Sequence, residues 1–209
     1  DVLFESNTAR TNGGAVYVSK EDDLTGITSA SCTRCTFRTN EAKDKNGGGL
    51  YVSNVDGVVL DSCLFDGNKA GSNGGGMGVL GTDSTEQTVI SLRNTTFRSN
   101  EADEGGGFFT FYVTVSLEGG MNVFTKNIAD NDGSDSWYLY YDTKVTIEAC
   151  PLGYWRNLAA DVTTTAQMND PLDACQSCPA EKTTEVGYLA KAGDTEASSC
   201  TRDCPLGFV

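Results

Sequence analysis

Short apolar and β-branched runs alternate with glycine-rich polar segments from residue 1 to about residue 149. Val58–Phe65 and Val89–Phe97 each end at a phenylalanine, and neither has the spacing of an amphipathic helix. A second apolar run, such as Leu50–Val52, follows each glycine segment. The pattern predicts two or three short strands and no helix in each period of about 30 residues.

These segments form a repeat in which a phenylalanine is followed by asparagine, alanine and a Gly-Gly pair. The phenylalanines are Phe4, Phe37, Phe65, Phe97 and Phe124, and the asparagines are Asn7, Asn40, Asn68, Asn100 and Asn127. A unit of this size cannot bury its own apolar face, but it can do so when it stacks on its neighbours. We therefore expect a column of phenylalanines about 4.8 Å apart, an asparagine ladder at one corner, and glycines where the backbone turns sharply.

The combination of Phe-x-x-Asn with Gly-Gly and an aliphatic residue resembles the repeats of polymorphic outer membrane proteins and related surface adhesins. The resemblance covers residues 1–149 and implies an all-β, right-handed parallel β-helix at the cell surface, without implying a particular activity. A calcium-binding nonapeptide roll is disfavoured because Gly74–Val79 lacks the required aspartate. The repeat that begins at Phe124 has lost most of its glycines, as expected of a unit that caps an open stack.

Composition narrows the possible partners. The 209 residues contain 15 Lys and Arg, 29 Asp and Glu and no histidine, for a net charge of −14. This charge disfavours nucleic acid and anionic membranes as partners, and the sequence has no apolar run long enough to insert into a membrane. The chain opens inside a repeat, so we expect it to be a segment of a longer polypeptide.

Residues 150–209 are expected to form a second, cysteine-rich domain. Cys-Pro-x-Gly-aromatic occurs twice, with Cys-x-x-Cys-Pro between, and this resembles ephrin-receptor-like or tumour-necrosis-factor-receptor-like modules. The resemblance implies disulfides Cys150–Cys175 and Cys178–Cys200. Composition alone leaves three pairings of four cysteines open. A four-thiolate zinc site that includes Cys204 is the alternative, and an oxidising compartment favours the disulfides.

Three cysteines lie in the repeat body. Cys35 and Cys63 each precede their phenylalanine by two residues, which predicts that they stack one coil apart and form a disulfide. Cys32 is then expected to be free or paired elsewhere. A thioredoxin-like role for Cys32 and Cys35 is disfavoured because no βαβ pattern surrounds them.

Two further polar segments are candidate sites. Asp130, Asp132 and Asp135 place oxygen donors on a short loop, which is the ligand chemistry of calcium, although the closing glutamate of an EF-hand is missing. A polar capping turn is the alternative interpretation. Asn94 begins the sequon Asn-Thr-Thr and is a candidate glycosylation site, with its side chain expected to point outward.

The function expected from the sequence is non-catalytic. There is no histidine for acid–base chemistry, no evident carboxylate pair, and no nucleophile-elbow or phosphate-loop motif. We expect an extracellular structural or adhesive glycoprotein segment without a cofactor, which assembles head to tail into a surface fibre or binds other extracellular proteins and glycans. The alternatives are a carbohydrate-binding or carbohydrate-cleaving β-helix and a receptor-like ligand-binding ectodomain.

Overall fold

The computed structural model describes residues 1–20, 29–81, 88–118, 122–131, 137–140 and 144–147, and five short strands between residues 154 and 203. The described residues form an all-β parallel solenoid without helices. Among them, no helix exists that is long and apolar enough to cross a membrane.

Four strands per repeat stack on their counterparts to form four sheets, here named A to D. Sheet A contains β1 (Val2–Glu5), β5 (Cys35–Arg38), β9 (Leu64–Asp66), β13 (Thr96–Arg98) and β17 (Val123–Thr125). Sheet B contains β2 (Thr8–Ala9), β6 (Glu41–Ala42), β10 (Lys69–Ala70), β14 (Glu101–Ala102) and β18 (Ile128–Ala129).

The other two sheets are built in the same way. Sheet C contains β3 (Val16–Ser19), β7 (Leu50–Ser53), β11 (Met77–Leu80), β15 (Phe108–Phe111) and β19 (Trp137–Tyr140). Sheet D contains β4 (Ser29–Thr33), β8 (Gly57–Asp61), β12 (Thr88–Arg93), β16 (Val113–Glu118), β20 (Lys144–Ile147) and β22 (Val162–Thr163).

The repeat has more strands than the two or three expected from the apolar pattern, because corners divide the longer runs. Arg34, Ser62 and Asn94 occupy the left-handed region with φ of 53°, 56° and 49°, and each separates a sheet D strand from a sheet A strand. The run Val58–Phe65 therefore bends at Ser62 instead of continuing as one strand. A single residue with positive φ costs only a small steric penalty and turns the chain sharply.

Parallel register aligns equivalent side chains from coil to coil. Phe37 pairs with Phe65, and Phe65 pairs with Phe97, along sheet A. Along sheet D, Leu60 pairs with Leu92. These residues are 2% exposed or less, so the core is a set of apolar columns that runs along the solenoid axis and is buried between the four sheets.

The regular parallel order ends at sheet D. β20 pairs in parallel with β16, but β22 pairs with β20 in antiparallel orientation. Two antiparallel pairs follow, formed by β21 (Tyr154–Arg156) with β23 (Cys175–Ser177) and by β24 (Lys182–Thr183) with β25 (Arg202–Asp203). Cys150, Cys178 and Cys200 lie outside the described residues, so the two disulfides of the cysteine-rich domain remain predictions.

Candidate functional site

The repeated asparagines form a ladder in the structure that is buried from its second member onward. Asn7, Asn40, Asn68, Asn100 and Asn127 stack at the corner between sheets A and B. Each of the first four donates its backbone N–H and its side-chain amide to the side-chain oxygen of the next, at 2.9–3.1 Å. The remaining amide hydrogen of Asn68 goes to the carbonyl of Phe37 at 2.9 Å. The side-chain amides of Asn40, Asn68 and Asn100 each donate twice and accept, so this part of the ladder joins neighbouring coils without leaving unsatisfied side-chain groups.

The left-handed turn at this corner lies one residue before each asparagine. Ser6, Thr39, Gly67, Ser99 and Lys126 have φ between 50° and 64°. The asparagine that follows is directed inward, and Asn40, Asn68 and Asn100 are 1% exposed or less. Turning before the asparagine is what allows its side chain to reach the neighbouring coil.

The phenylalanine column lies beside this ladder. Ring centroids are 4.8 Å apart for Phe4 and Phe37, 4.6 Å for Phe37 and Phe65, and 4.7 Å for Phe65 and Phe97. Phe124 continues the stack at 5.0 Å from Phe97. The spacing equals the distance between paired strands, because each ring is carried at the same position of its strand.

The glycine corner between sheets B and C has two different steric requirements. The first glycine, such as Gly74 with φ of 68°, makes the turn in the left-handed region. The second glycine passes close to the next coil: a Cβ built on Gly75 would lie 2.4 Å from the carbonyl oxygens of Glu101 and Gly106. Adjacent glycines are therefore needed, one for backbone conformation and one for close approach.

Charged side chains alternate in sign along the outer faces, which the sequence interpretation did not detect. In sheet A, Arg38 lies 3.4 Å from Glu5 and 3.8 Å from Asp66, and Arg98 approaches Asp66 to 2.7 Å. The Arg98 guanidinium, which donates to Asp66, lowers the pKa of that carboxyl. In sheet D, Arg93 contacts Glu118 at 2.7 Å.

Lys69 and Glu101 form the corresponding ion pair in sheet B. A shift by one coil would place like charges opposite each other, so these pairs favour the observed register. For sheet A, the signal that could have revealed the ion pairs is the alternation of charge at the position directly after Phe4, Phe37, Phe65 and Phe97.

The predicted Cys35–Cys63 disulfide is wrong in this structure. Cys32 and Cys35 form the disulfide, with their Cα atoms 6.0 Å apart, and Cys63 is a free, buried thiol. The left-handed corner at Arg34 brings these two cysteines together across the turn. The prediction considered only the stacking of Cys35 on Cys63 and did not include this turn.

Cys63 occupies a corner position whose side chain bonds a carbonyl of the preceding coil. Its thiol donates to the carbonyl of Cys32 at 3.3 Å, and the Asn122 amide likewise donates to the carbonyl of Leu92 at 2.9 Å. The sulfur atoms of Cys32, Cys35 and Cys63 all lie within 4.8 Å of one another. Burial raises the pKa of the Cys63 thiol, which keeps it protonated at neutral pH.

A groove of about 380 Å³ lies along the outer face of sheet C and the adjoining glycine corner. We call it the sheet C groove. Its floor is formed by Tyr51, Phe109 and Tyr138, which are 5%, 7% and 4% exposed. Gly78 lies between Tyr51 and Phe109 in the register, and the Tyr51 ring leans over it at 3.0 Å from the position of a Cβ.

A second asparagine column forms the polar rim of the groove. Asn46 donates its N–H to the side-chain oxygen of Asn12 at 3.2 Å, and Asn73 does the same to Asn46 at 3.1 Å. Glu104 takes the next place in this column, opposite Asn73, and the pattern stops there because the Glu104 N–H bonds the Ser72 carbonyl. Among the described residues, the side chains of Asn73 and Glu104 have no hydrogen-bond partner.

The electrostatics of the groove favour an uncharged, hydroxyl-rich ligand. Burial raises the pKa of Tyr51, so its phenol remains a neutral donor and acceptor, although a hydrogen bond from the Asn46 side chain opposes this shift. Burial and then the nearby charge of Asp103 raise the pKa of Glu104. Amide, phenol and carboxyl groups next to aromatic edges can both donate to and accept from sugar hydroxyls.

The remaining predicted site residues are not brought together by the described part of the chain. Asp130 is exposed, and Asp132 and Asp135 lie outside the described residues, so the calcium site remains a prediction. Asn94 is exposed at a corner with φ of 49°. Its side chain is therefore accessible for glycosylation because of the corner, and not because of the strand alternation that the sequence interpretation assumed.

Comparison with known proteins points to surface proteins with the same repeat. Residues 1–19 match the Chlamydia polymorphic membrane protein repeat. The chain is 35% identical over 126 residues to the probable autotransporter YfaL of Escherichia coli K12. The aligned region covers 55% of this chain and 10% of that protein. It is 33% identical over 108 residues to the probable outer membrane protein pmp20 of Chlamydia pneumoniae, covering 50% of this chain and 6% of that protein.

These similarities and the parallel solenoid support the resemblance to polymorphic-membrane-protein repeats, and they agree with the expected cell-surface localisation. The matched region is a tenth or less of each relative's length. No solved structure matches the chain. The resemblance of residues 150–209 to receptor-like cysteine-rich modules remains a prediction.

Proposed function

We propose that this chain is a non-catalytic, adhesin-like segment of a cell-surface protein, and that it binds neutral glycans in the sheet C groove. The proposal rests on Asn73 and Glu104, whose side chains lie beside the aromatic floor of the groove and have no hydrogen-bond partner within the described part of the chain. The names of the relatives, an autotransporter and an outer membrane protein, support display at a surface.

The size and charge of the groove favour a neutral oligosaccharide over other ligands. A volume of about 380 Å³ accommodates a small ligand such as one or two sugar rings. The chain's net charge of −14 repels acidic polysaccharides. A single carboxylate whose pKa is raised by burial is a weak site for a cation.

Binding of the purified chain to an array of neutral oligosaccharides tests this function. Asn73→Ala and Glu104→Gln should each weaken binding by about 5- to 100-fold, as expected when one or two hydrogen bonds to a ligand are lost. Glu41→Gln, which removes a carboxylate from sheet B outside the groove, is the matched control. Equal binding by all four proteins, or no binding by the wild-type chain, would contradict the proposal.

End-to-end assembly into a fibre is the second candidate function, favoured by the β1–β4 end of the stack. An apolar cavity of about 230 Å³ opens there, lined by Phe4, Val16 and Val18 among others. These three side chains are only partly buried, whereas their counterparts one coil away, Phe37, Leu50 and Val52, are 5% exposed or less. A further coil of the same kind would cover this end. Where that coil comes from a second copy of the chain, repeated head-to-tail contacts produce filaments.

Electron microscopy and sedimentation at high protein concentration test the fibre. Wild-type chains should form elongated assemblies, and Val16→Asp should release monomers because it places a charge in the covered end. Val59→Asp, at a site 48% exposed on the outer face of sheet D, is the matched control and should assemble normally. Circular dichroism establishes that both variants are folded. Monodisperse wild-type monomers would contradict assembly.

The finer features expected from the family resemblance belong to the same proposal. These are a right-handed coil, a disulfide-bonded cysteine-rich domain over residues 150–209 and a glycan on Asn94. Peptide mass mapping of the secreted chain tests the last two: the expected products are linked peptides for Cys150–Cys175 and Cys178–Cys200, and a glycosylated Asn94 peptide. Free thiols at these four cysteines would contradict the predicted domain.

A further inference from the structure

The three cysteines of the repeat body form one cluster across two coils. Cys32 and Cys35 are joined by a disulfide, Cys63 carries the free thiol, and the three sulfur atoms lie within 4.8 Å of one another. A thiol this close to a disulfide has a possible reaction partner, because disulfides exchange when a thiolate attacks one of their sulfur atoms.

We propose that this cluster is an internal thiol–disulfide exchange site in which Cys63 attacks the Cys35 sulfur and releases Cys32. The Cys63 thiol first loses its proton. The Cys35–Cys63 bond forms as the Cys32–Cys35 bond breaks, and the departing Cys32 thiolate takes up a proton from water. One disulfide is exchanged for another, so no external oxidant or reductant is needed.

Register explains why Cys35 is the sulfur attacked. Thr36 pairs with Leu64 and Phe37 with Phe65, so Cys35 and Cys63 occupy equivalent positions just before these pairs on neighbouring coils. A bridge between equivalent positions can form without shifting the ladder. The Cys63 thiol is also held over this corner by its hydrogen bonds to the carbonyls of Cys32 and Asp61 at 3.3 and 3.5 Å.

Burial explains why Cys32 is the sulfur released. Cys35 and Cys63 are 3% and 2% exposed, whereas Cys32 is intermediate in exposure and lies at the edge of the core. The departing thiolate is therefore better solvated at Cys32 than at Cys35, and a better stabilised leaving group departs faster.

The exchange would change both the covalent structure and the surface of the solenoid. Before exchange, the disulfide joins cysteines three positions apart in the sequence and the free thiol is buried. Afterwards, the disulfide joins two coils and closes a longer loop, which constrains the unfolded chain more strongly. The free thiol then lies at Cys32, where it can be modified or can form a disulfide with another chain.

Tryptic mapping can follow this reaction because the cleavage sites separate the three cysteines. Cleavage at Lys and Arg places Cys32 on peptide 21–34, Cys35 on peptide 35–38 and Cys63 on peptide 46–69. The full chain is held at about pH 9.5 rather than at the ordinary thiol pKa, because burial raises the pKa of the Cys63 thiol. It is then quenched in acid, labelled with a maleimide under denaturing conditions and digested. We expect label on Cys32 to rise with time, together with a linked peptide joining 35–38 to 46–69.

Two variants separate this reaction from other sources of a Cys32 thiol. Cys63→Ser should leave Cys32 unlabelled at all times, and Cys32→Ser folded in air should contain the Cys35–Cys63 disulfide. The proposal is overturned if wild-type chains show label on Cys63 but none on Cys32. It is also overturned if Cys32 is labelled in Cys63→Ser, if Cys32 is found linked to a cysteine beyond residue 149, or if a folded Cys32→Ser keeps both thiols free.

Discussion

The side-chain oxygen of Asn100 accepts two hydrogen bonds from Asn68, one from its backbone N–H at 3.0 Å and one from its side-chain amide at 2.9 Å. Asn68 in turn accepts the same two bonds from Asn40. One buried side chain therefore satisfies polar groups on both neighbouring coils. The asparagine position of the repeat therefore tolerates few substitutions, because any replacement side chain must both donate and accept hydrogen bonds.

We expect Asn68→Asp to destabilise the chain by about 3–5 kcal/mol, because aspartate cannot donate to Phe37 and Asn100 and introduces a buried charge. Asn7→Asp is the matched control at the more exposed first position of the ladder, and it should cost about 1 kcal/mol. Urea unfolding followed by circular dichroism measures both. Equal decreases in unfolding free energy for the two variants would show that burial within the ladder does not determine the destabilisation.

The columns of Phe and Asn could be predicted from the sequence because their physical requirement repeats once per coil. Because the coils stack in register, Phe37, Phe65 and Phe97 have the same surroundings, and the same residue type fits at each of these positions. The local turns were harder to predict. Arg34 and Ser62 belong to residue types that seldom adopt positive φ, so nothing in their identity indicates the turns that bend the chain there.

The candidate site was less predictable for a related reason. The sheet C groove is formed where the repeat is broken: Glu104 replaces an asparagine of the rim column, and Gly78 interrupts an aromatic column. Residues that depart from the repeat, such as Glu104 and Gly78, do not contribute to the periodic pattern from which the fold was predicted. The disulfide was missed because the stacking pattern places Cys35 beside Cys63 and gives no sign of the corner at Arg34, which brings Cys32 and Cys35 together.

We expect Gly75→Ala to destabilise the solenoid by more than about 3 kcal/mol, because the added methyl would overlap backbone oxygens that cannot move independently of the next coil. Gly57→Ala is the matched control, since the nearest atom to its added Cβ would be 3.6 Å away. That substitution should change stability by less than about 1 kcal/mol. Thermal unfolding of both variants measures the difference, and comparable losses would contradict the close-approach argument.

The ion pair between Asp66 and Arg98 predicts a pH-dependent contribution to stability. Because the folded-state pKa of Asp66 is lowered by Arg98, its contribution is present above the ordinary pKa of 3.8 and is lost as pH falls through the folded value. The pair is partly exposed to solvent, so Asp66→Asn should cost only about 0.5–1 kcal/mol at pH 7. This cost should approach zero in strong acid.

Unfolding free energies of wild type and Asp66→Asn, measured at intervals from neutral pH to about pH 2, test this prediction. Asp44→Asn is the control, because the carboxylate of Asp44 and the guanidinium of Arg10 that it contacts are both largely exposed, at 59% and 89%. Its effect should be near zero across the range. A constant difference between wild type and Asp66→Asn at every pH would exclude the ion pair as the cause.

Glu104→Gln should separate ligand binding from stability. The pKa of Glu104 is raised by burial, so its charged form opposes folding above the folded pKa, and this penalty disappears below the unfolded value. The substitution should therefore raise stability at neutral pH by less than about 0.5 kcal/mol, since the group remains partly solvated, and should have no effect in acid.

The same substitution should weaken glycan binding, because it removes the strongest acceptor of the sheet C groove while leaving an amide of the same shape. Unfolding and array binding measured on one preparation provide both readings. Reduced stability at neutral pH would mean that Glu104 has a structural partner, and any loss of binding could then be attributed to local unfolding. Increased stability together with lost binding would instead identify Glu104 as a residue retained for ligand recognition at the expense of the fold.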